Sequence, residues 1–454
     1  MKTIIENGNV VFPEVVKQRQ IVIEDGIISY VGDHPKFDEN DTIIDAKGKY
    51  ILPGFIDIHT NGAVGYDVSG GFYDAAKQKF LMDPHLLAKG LTSALDFYLS
   101  KGTTKAVFSS IAAPMEQLQA SFQFVDQYLR DPSSPLSKDV VAGLYVEGTF
   151  MKYEEFRGAQ NPEYFFAPTI ENFEKLSRAS GGRVKVVNVP PEHEAAGLGL
   201  IRYLGENNII AAAGHTGATA LQYEAAVQNG LSLAVHFLNG PTGSSTKPFD
   251  DGGAVEAVLR AGEVHVELIT DGYHVSPPYV LDTIQRKGFR KSIIITDSMF
   301  LTGMKGISDF EMFGIKGRVS DNREFLQVVA NKNTLFGSIL TMDKAFANVL
   351  TWLTRPMKGI WNAMHPPMDF RTALINTSRM CSQTPARLLG IYRPDERTLN
   401  QDLSDYTGSI EVGKKADILI AAIAEEKEKY NVEIETVFLR GEKMNRGEVP
   451  AGVK

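Results

Sequence analysis

The sequence predicts an α/β fold in which a (β/α)₈, TIM-like barrel is joined to a small β-sandwich domain built from both chain termini. Three observations indicate this fold: eight short apolar runs alternate with helical spacers, polar side chains follow most of these runs, and both chain ends are rich in predicted strands. The expected boundaries are residues 53–400 for the barrel and residues 1–52 and 401–454 for the two parts of the β domain.

The two chain ends share a β-rich character. Residues 21–28 contain two short β-rich segments joined by Asp25-Gly26, a dipeptide typical of tight hairpin turns. Residues 416–420 and 432–439 are similar segments near the other end. Together they predict one small β domain assembled from both ends of the chain.

Between the ends, apolar runs rich in Val, Ile and Ala recur. The eight runs are residues 50–58, 105–111, 140–146, 184–189, 209–213, 231–235, 264–269 and 292–296. Two of the spacers, residues 170–180 and 219–229, have helical patterns that end at Gly181 and Gly230. Continuous apolar strands alternating with helices are typical of a parallel sheet covered on both faces, and eight units favour a barrel. A doubly wound open sheet would give a similar pattern, so the count alone leaves that alternative open.

Composition excludes several classes of protein. The 454 residues carry 47 basic and 55 acidic side chains, a net charge of −8, and 43% are hydrophobic, which argues against disorder and fibrous repeats. The single cysteine, Cys381, excludes an internal disulfide framework and a cysteine-based zinc cluster, and it fits a reducing compartment. The mild acidity argues against a nucleic-acid partner.

A membrane partner is not expected either. No apolar run approaches the roughly 18 residues of a membrane helix. Glu6 and Gly8 lie where a secretory signal would keep its apolar stretch. The expected location is therefore the cytoplasm.

Polar residues follow the predicted strands. In chain order they are His59, Glu147, His215, His236, His274 and Asp297. The C-terminal ends of barrel strands meet at one mouth, where active sites are built, and four of the nine histidines lie at these ends. Imidazole and carboxylate ligands from separate strands suit a divalent metal such as Zn²⁺, with about three protein ligands in a catalytic site. Glu147, His215 and His236 form such a set. For each of them alone, the alternative is an ordinary hydrogen-bonded side chain at the start of a loop.

Two further residues are candidates for catalysis. Asp297 directly follows a buried run, and we expect it to act as a general base and acid on a metal-bound water. A helix N-cap is the alternative. His274 is expected to polarise a carbonyl or contact the substrate, with a structural loop histidine as the alternative.

The loop at residues 239–247 consists mainly of small residues and ends in Lys247. Its backbone amides could hold an anion, or the loop could simply be flexible. The sequence contains no Walker-A motif, no GxGxxG after a strand and no GxSxG elbow, so nucleotide-dependent and serine-hydrolase chemistry lose support.

Several motifs resemble known families. Residues 53–59 (PGFIDIH) resemble the entry signature of the amidohydrolase superfamily, and residues 408–417 (GSIEVGKKAD) resemble its return into the small β domain. More narrowly, the sequence is similar to the N-acetylglucosamine-6-phosphate deacetylase family in six segments that follow the family's order across nearly the whole chain. These segments are residues 143–148 (GLYVEG), 214–219 (GHTGAT), 236–240 (HFLNG), 271–275 (DGYHV), 296–297 (TD) and 384–390 (TPARLLG).

The resemblance implies a metal-dependent hydrolase that removes the N-acetyl group from an amino-sugar phosphate by attack of a metal-activated water. It implies one divalent metal on Glu147, His215 and His236, with Zn as the expected ion and Fe, Co, Mn or Ni as alternatives. It also implies that Asp297 transfers the proton and that His274 contacts the acetyl carbonyl.

The resemblance further implies where the sugar phosphate binds. The Asn239–Gly240 backbone and a cation near Lys247 would hold the phosphate, and Ala159 and Gln160 would contact the sugar. In this family the cation comes from the neighbouring subunit, which implies a homodimer.

The sequence departs from the family at four places. Thr149 stands where the family has a proline, Gln160 where it usually has a sugar-contacting histidine, and Lys247 where an arginine normally grips the phosphate. The predicted metal and proton-transfer residues are unaffected, so the chemistry is better supported than the substrate. The fourth departure is His59-Thr60-Asn61, where two-metal relatives carry His-x-His. One metal is therefore favoured, and His59 is the candidate ligand of a weak second site.

Two other functions stay open at this point. The same machinery could act on a different amide, such as N-acetylgalactosamine-6-phosphate, a cyclic amide or an N-acyl amino acid. The remote alternative is a non-catalytic barrel that serves as a scaffold.

Overall fold

The computed structural model describes residues 2–36, 38–239, 243–247, 249, 251–393 and 402–444. An eight-stranded parallel sheet surrounded by helices forms the centre, and a second eight-stranded sheet contains strands from both ends of the chain. The predicted fold class is confirmed. No helix in the described part of the chain combines the length and the apolar character that a membrane crossing requires.

Five strands near the N-terminus belong to the second sheet, called the terminal sheet below. They are β1 (Thr3–Val11), β2 (Val16–Glu24), β3 (Ile27–Gly32), β4 (Thr42–Asp45) and β5 (Tyr50–Pro53). β2 and β3 form the predicted hairpin, with Glu24 opposite Ile27. Asp25 and Gly26 between them both have positive φ, 52° and 80°, as two-residue hairpin turns require.

The first predicted run, residues 50–58, is divided between the two sheets. β5 ends at Pro53 in the terminal sheet, and β6 (Phe55–Thr60) begins the barrel. Gly54 lies between them, where a Cβ would come within 2.1 Å of Thr104 Oγ1. The chain passes from one sheet to the other at a residue that has no room for a side chain.

Four short strands after β6 form a small antiparallel sheet that the sequence did not predict. They are β7 (Gly62–Ala63), β8 (Tyr66–Asp67), β9 (Gly71–Asp74) and β10 (Lys79–Leu81). Helix α1 (Pro84–Ser100) then leads back to the barrel. It begins after Asp83, whose carboxylate accepts hydrogen bonds from the backbone N–H groups of His85 and Leu86.

Seven further strands complete the barrel in chain order. They are β11 (Thr103–Ser110), β12 (Val141–Val146), β13 (Val184–Asn188), β14 (Ile210–Ala213), β15 (Leu231–Ala234), β16 (His265–Ile269) and β17 (Ser292–Ile295). The backbone N–H of Asp297 donates to the carbonyl of His59 at 2.8 Å, which joins the end of the last strand to the first. Every residue of β6 and β11 is buried, as expected for strands covered on both faces.

Helices follow most of the barrel strands. They are α2 (Met115–Arg130), α3 (Ile170–Ala179), α4 (Glu194–Glu206), α5 (Ala220–Gln228), α6 (Ala254–Arg260), α7 (Pro277–Lys287), α8 (Met342–Leu353), α9 (Phe370–Ser378) and α10 (Thr384–Leu388). α3 and α5 confirm the two predicted helical patterns. Both begin after a threonine, Thr169 and Thr219, whose hydroxyl accepts a hydrogen bond from a backbone N–H three residues later.

A four-stranded antiparallel sheet lies between β17 and α8, and we call it the mouth sheet. Its strands are β18 (Asp309–Met312), β19 (Ile315–Val319), β20 (Leu326–Val328) and β21 (Asn331–Leu335). Soon after β21, the backbone N–H of Ser338 donates to the carbonyl of Asp297 at 2.8 Å. This contact links the mouth sheet to the C-terminal mouth of the barrel. The sequence analysis does not predict the mouth sheet.

Three C-terminal strands complete the terminal sheet. They are β22 (Ile418–Glu426), β23 (Lys429–Leu439) and β24 (Glu442–Met444). The strand order is β24-β23-β22-β5-β1-β2-β3, and β4 also pairs with β1. β22 pairs with β5, with Ile418 opposite Pro53, so the two chain ends do share one sheet. The exact domain boundaries stay a prediction.

Candidate metal and catalytic site

Four polar side chains from four strand ends meet at the mouth of the barrel. They are Glu147 after β12, His215 after β14, His236 after β15 and Asp297 after β17. Glu147 Oε1 lies 3.1 Å from His215 Nε2 and 3.1 Å from His236 Nε2. All four residues are more than nine-tenths buried. The structure thus brings together the predicted metal ligands and the predicted proton-transfer residue.

Three of these residues have a strained backbone. The φ angles of His215, His236 and Asp297 are 51°, 23° and 50°. For residues with a Cβ, such conformations cost on the order of 1–3 kcal/mol each and persist only where the surroundings enforce them. Strain of this kind concentrates at functional sites, and here it occurs at three of the four strand ends that form the cluster.

Backbone carbonyls fix the orientation of both imidazole rings. His215 Nδ1 lies 2.8 Å from the carbonyl of Phe156, and His236 Nδ1 lies 2.8 Å from the carbonyl of Asn239. Because a carbonyl only accepts hydrogen bonds, each Nδ1 carries the proton and each Nε2 faces Glu147. A hydrogen bond from the ring nitrogen that does not bind the metal commonly orients metal-binding histidines in proteins.

The arrangement around Glu147 fits a divalent ion. In the neutral rings, two Nε2 lone pairs would repel the carboxylate oxygen unless a proton or a cation lay between them. Burial acts to raise the pKa of Glu147, but the close contacts with the His215 and His236 rings outweigh it and hold that pKa well below its usual range. Burial acts to lower the pKa of His236, but the Glu147 carboxylate outweighs it and raises that pKa. One carboxylate and two imidazoles aimed at a shared point form a donor set of the kind that Zn²⁺ and similar ions prefer.

His59 lies beside this group and is completely buried. Its Nδ1 lies 2.9 Å from Glu267 Oε2, and its Nε2, which has no hydrogen-bond partner among the described residues, lies 3.9 Å from Glu147 Oε2. Burial acts to lower the pKa of His59, but the Glu267 carboxylate outweighs it and the pKa rises to about 10. The ligand atoms of His59, Glu147 and His236 all lie within 4.8 Å of one another. Two candidate ligand sets therefore share Glu147 and His236, one completed by His215 and the other by His59.

Asp297 faces this cluster. Its Oδ1 accepts a hydrogen bond from Asn61 Nδ2 at 2.8 Å and lies 3.6 Å from His59 Nε2. The residues that follow Asp297 lead into the mouth sheet, and the next α-helix of the described chain, α8, begins only at Met342. The helix N-cap alternative for Asp297 is therefore wrong. Asn61 stands where two-metal relatives carry the second histidine of His-x-His, and its side-chain amide donates a hydrogen bond to Asp297.

His274 is fixed by Asp271. His274 Nδ1 lies 2.6 Å from Asp271 Oδ2, and Asp271 Oδ1 accepts hydrogen bonds from the backbone N–H groups of Tyr273 and His274. Burial acts to raise the pKa of Asp271, but its contacts with His274 outweigh it and the pKa is lowered. His274 Nε2 has no hydrogen-bond partner in the described part of the chain, and the residue lines the same cavity as Glu147 and Asp297. A ring held at one nitrogen and open at the other fits a contact with substrate.

Gln160 lies against Glu147. Its Oε1 accepts a hydrogen bond from the backbone N–H of Ala112 at 2.6 Å, and its Nε2 donates to Glu147 Oε2 at 3.3 Å. Ala159, the preceding residue, lines the cavity. The hydroxyl of Thr149 is buried with no hydrogen-bond partner among the described residues. The predicted sugar contacts of Ala159 and Gln160 stay predictions, and the structure adds that Gln160 supports a candidate metal ligand.

The predicted phosphate contacts are only partly assembled in one chain. Asn239 lines the cavity, and its carbonyl orients His236. Gly240 lies outside the described residues. Lys247 is exposed and lines a different cavity, together with Arg260 and Trp361. A contact between Lys247 and a substrate at Glu147 therefore stays a prediction that requires a second copy of the chain.

Two buried acids at the site were missed by sequence reasoning. Glu267, in β16, accepts hydrogen bonds at Oε2 from His59 Nδ1 and from the backbone N–H of His236, both at 2.9 Å. Asp57, in β6, accepts hydrogen bonds from the hydroxyl and the backbone N–H of Thr296, and burial raises its pKa to about 7. Both lie within predicted apolar runs, residues 50–58 and 264–269. An acid inside a buried strand is rare unless it is paired, and that was the available signal.

The cluster opens into a cavity of about 770 Å³. Side chains after the barrel strands form one wall, and residues 325, 327–328 and 330–337 of the mouth sheet and its neighbourhood form another. Two cations, Arg157 and Lys332, and two acids, Glu154 and Glu155, also line it. The volume suits a small-molecule ligand.

Comparison with known proteins identifies the family. The sequence model described as "Amidohydrolase family" matches residues 50–444. An N-acetylglucosamine-6-phosphate deacetylase from Lysinibacillus sphaericus is 31% identical over 339 residues, which cover 73% of this chain and 79% of the relative.

Two solved structures share the fold at 22% identity. The N-acetylglucosamine-6-phosphate deacetylase from Pasteurella multocida matches with a TM-score of 0.76 and covers 98% of this chain and 100% of that one. A mutant of the Mycobacterium smegmatis N-acetyl-D-glucosamine-6-phosphate deacetylase in complex with N-acetyl-D-glucosamine-6-phosphate matches with a TM-score of 0.75, with 98% of each chain covered. The family match spans most of the sequence, and the chain therefore belongs to the amidohydrolase family, in the group of the N-acetylglucosamine-6-phosphate deacetylases.

Proposed function

We propose that this enzyme removes the N-acetyl group from an amino-sugar phosphate by hydrolysis, with N-acetylglucosamine-6-phosphate as the expected substrate. The observation that carries the proposal is the position of Glu147 between His215 and His236, with Asp297 and His274 in the same cavity. The activity named for the Lysinibacillus relative and the ligand of the Mycobacterium structure support this choice of substrate.

Glu147, His215 and His236 would hold the metal ion, and Zn²⁺ is the expected ion, with Fe, Co, Mn and Ni as alternatives. When bound, a divalent ion supplies Lewis-acid activation of water and of the acetyl carbonyl. A single ion is expected, because Asn61 donates to Asp297 and does not offer a second imidazole beside His59. Metal analysis of the dialysed protein tests this proposal: about one divalent ion per chain supports it, and a metal-free but active protein contradicts it.

Asp297 would move the protons of the reaction. Asn61 holds Asp297 Oδ1, which leaves Oδ2 to accept a proton from the attacking water. The same carboxyl then returns the proton to the amide nitrogen, because nitrogen leaves readily only as a neutral amine. General acid–base catalysis of this kind typically contributes about 10²–10⁴-fold.

His274 would stabilise the negative charge that develops on the acetyl oxygen. Its Nε2 has no hydrogen-bond partner among the described residues, and His274 lines the cavity. Because Nδ1 lies against the Asp271 carboxylate, donation from Nε2 requires the ring to carry protons on both nitrogens.

The remaining substrate contacts within one chain are proposed for two pairs of residues. Ala159 and Gln160 would contact the sugar, and the backbone of Asn239 and Gly240 would contact the phosphate. Lys247 would reach the phosphate from a neighbouring copy, which predicts a homodimer. Analytical ultracentrifugation tests the assembly, and a fully active monomer would contradict it. The cytoplasm stays the expected location.

A substrate panel tests the proposed activity. Amine release by purified, metal-loaded enzyme is measured with N-acetylglucosamine-6-phosphate, its galactosamine epimer, the unphosphorylated sugar, a cyclic amide and an N-acyl amino acid. The highest kcat/KM is expected for N-acetylglucosamine-6-phosphate. A preference for the galactosamine epimer would change the assigned sugar but leave the mechanism as proposed. Activity confined to a cyclic amide or an N-acyl amino acid would contradict both the assigned sugar and the amino-sugar phosphate class.

A further inference from the structure

Two cations of a single subunit line the cavity that contains Glu147 and Asp297. They are Arg157, in the loop after β12, and Lys332, in β21 of the mouth sheet. Neither side chain forms an ion pair or a hydrogen bond with another residue of the described chain, whereas exposed cations such as Arg318 do. We propose that Arg157 and Lys332 bind the phosphate group of the substrate within one subunit. This inference rests on the proposed function, because it adds two cations of the same subunit to the phosphate contacts proposed there.

Arg157 is held beside His215 by its neighbours in the chain. The carbonyl of Phe156 accepts a hydrogen bond from His215 Nδ1, and a Cβ on Gly158 would lie 2.9 Å from His215 Cε1. The backbone N–H of Arg157 donates to the carbonyl of Glu154 at 3.2 Å, and its own carbonyl accepts from the N–H of Gln160 at 3.0 Å. The backbone of Arg157 is therefore fixed next to a candidate metal ligand, while its guanidinium is available to a ligand.

Lys332 belongs to the mouth sheet and is fixed in a similar way. Its carbonyl accepts a hydrogen bond from Gln327 Nε2 at 3.1 Å, and the backbone N–H of Asn333 donates to Asn331 Oδ1 at 3.1 Å. A few residues later the chain returns to the barrel, where Ser338 bonds the carbonyl of Asp297. The exposed ammonium of Lys332 is thus carried by an ordered strand at the mouth of the cavity.

The shape of the substrate explains why cations are needed away from the metal site. The acetamido group on C2 and the phosphate on C6 lie at different ends of the sugar, so a carbonyl placed at Glu147 and Asp297 directs the phosphate toward the rim. A phosphate monoester carries a charge of roughly −1.5 to −2 at pH 7. Glu154 and Glu155 also line the cavity and would repel this charge. An ammonium and a guanidinium fork provide the opposite charge and the hydrogen-bond donors that phosphate oxygens accept.

The test compares two substrates that differ only in the phosphate. kcat/KM is measured with N-acetylglucosamine-6-phosphate and with N-acetylglucosamine for the wild-type enzyme and for Lys332→Ala and Arg157→Ala. The ratio of the two values is expected to fall roughly tenfold or more in each variant, mainly through a higher KM for the phosphorylated sugar, because a charge-assisted contact is lost. Lys332→Arg retains the charge and should retain most of the ratio.

Lys316→Ala is the matched control, because Lys316 is exposed on β19 of the same sheet and does not line the cavity. Inorganic phosphate provides a second readout as a competitive inhibitor. Its inhibition constant is expected to rise in Lys332→Ala and in Arg157→Ala and to stay at the wild-type value in Lys316→Ala.

Four outcomes would overturn the assignment. The first is an unchanged ratio in both alanine variants, and the second is an equal loss with both substrates, which would indicate a structural effect. The third is a fall of the ratio in Lys247→Ala alone. The fourth is a wild-type enzyme without any preference for the phosphorylated sugar. This last outcome would also contradict the proposed substrate, whereas the first three contradict only the inference.

Discussion

Replacement of Glu267 by glutamine is expected to destabilise the protein by about 2 kcal/mol while the fold is retained. Glu267 is completely buried, and its Oε2 accepts hydrogen bonds from His59 Nδ1 and from the backbone N–H of His236, each at 2.9 Å. A glutamine oxygen can accept the same two bonds without the negative charge. The variant therefore measures what the charge of this buried acceptor contributes.

The magnitude follows from the two contacts. A hydrogen bond to a charged group contributes about 1.5–3 kcal/mol and a bond between neutral groups about 0.5–1.5 kcal/mol, so neutralising the acceptor of two bonds costs about 2 kcal/mol. Glu267→Ala removes the acceptor and leaves two buried N–H groups unpaired. Its expected cost is about 4 kcal/mol.

Urea unfolding of metal-free protein is the appropriate assay, since a bound ion would itself shift the equilibrium. Glu263→Gln is the control, because Glu263 is an exposed acid two residues before β16. The expected order of urea midpoints is wild type and Glu263→Gln, then Glu267→Gln, then Glu267→Ala. If Glu267→Gln and Glu267→Ala both unfolded at the wild-type midpoint, the assignment of two strong contacts to Glu267 would be refuted.

Three further predictions concern the reaction, the strand junction and a buried lysine. Asp297→Asn is expected to lower kcat at least 100-fold and to leave the metal content unchanged, as kinetics and metal analysis would show; undiminished turnover would exclude the proton-transfer role. Gly54→Ala is expected to lower the free energy of unfolding by about 1–3 kcal/mol, because the new methyl group would meet Thr104 Oγ1. Gly199→Ala is the control and should be tolerated, because a Cβ there meets nothing within 4 Å. Equal melting temperatures of the two variants would contradict this prediction. Burial lowers the pKa of Lys414 from 10.5 to about 8. Between these pH values the unfolded chain therefore binds more protons than the folded protein. As a result, the folded protein gains stability as the pH rises from about 8 to 10.5. Urea unfolding across this pH window should show a smaller gain for Lys414→Met than for the wild type, because burial also lowers the pKa of Lys287 to about 8 and that lysine contributes in both proteins.

The barrel strands could be predicted because burial on both faces leaves a clear mark in a sequence. All residues of β6 and β11 are buried, and such strands appear as nearly continuous apolar runs. The mouth sheet leaves no such mark, since its strands have only three to five residues and several of these are exposed. The passage from β5 to β6 was not predictable for a different reason. Pro53 and Phe55, on either side of Gly54, are both apolar and buried, so the sequence does not mark where the chain changes sheet.

The candidate site was predictable where chain topology alone brings residues together. Glu147, His215 and His236 each follow a barrel strand, and parallel strands of a barrel deliver such residues to one mouth. Glu267 lies within a strand, and its partner His59 is 208 residues away in the sequence, so no local spacing signals their contact. The place of Lys247 depends on the path of a surface loop, which composition does not specify.

The terminal sheet has a consequence for the synthesis of the protein. β5 pairs with β22 on one side, and about 365 residues separate the end of β5 from the start of β22. At translation rates of about 5–20 residues per second, the partner strand emerges roughly 20–70 s after β5 has left the ribosome. In the barrel sheet, neighbouring strands are consecutive in the barrel, and only the contact that joins the end of β17 to β6 waits for a distant part of the chain. During that interval the nascent chain carries an open strand edge that includes Ile51 and Leu52, so a stalled ribosome would present a segment prone to aggregation or to capture by a chaperone.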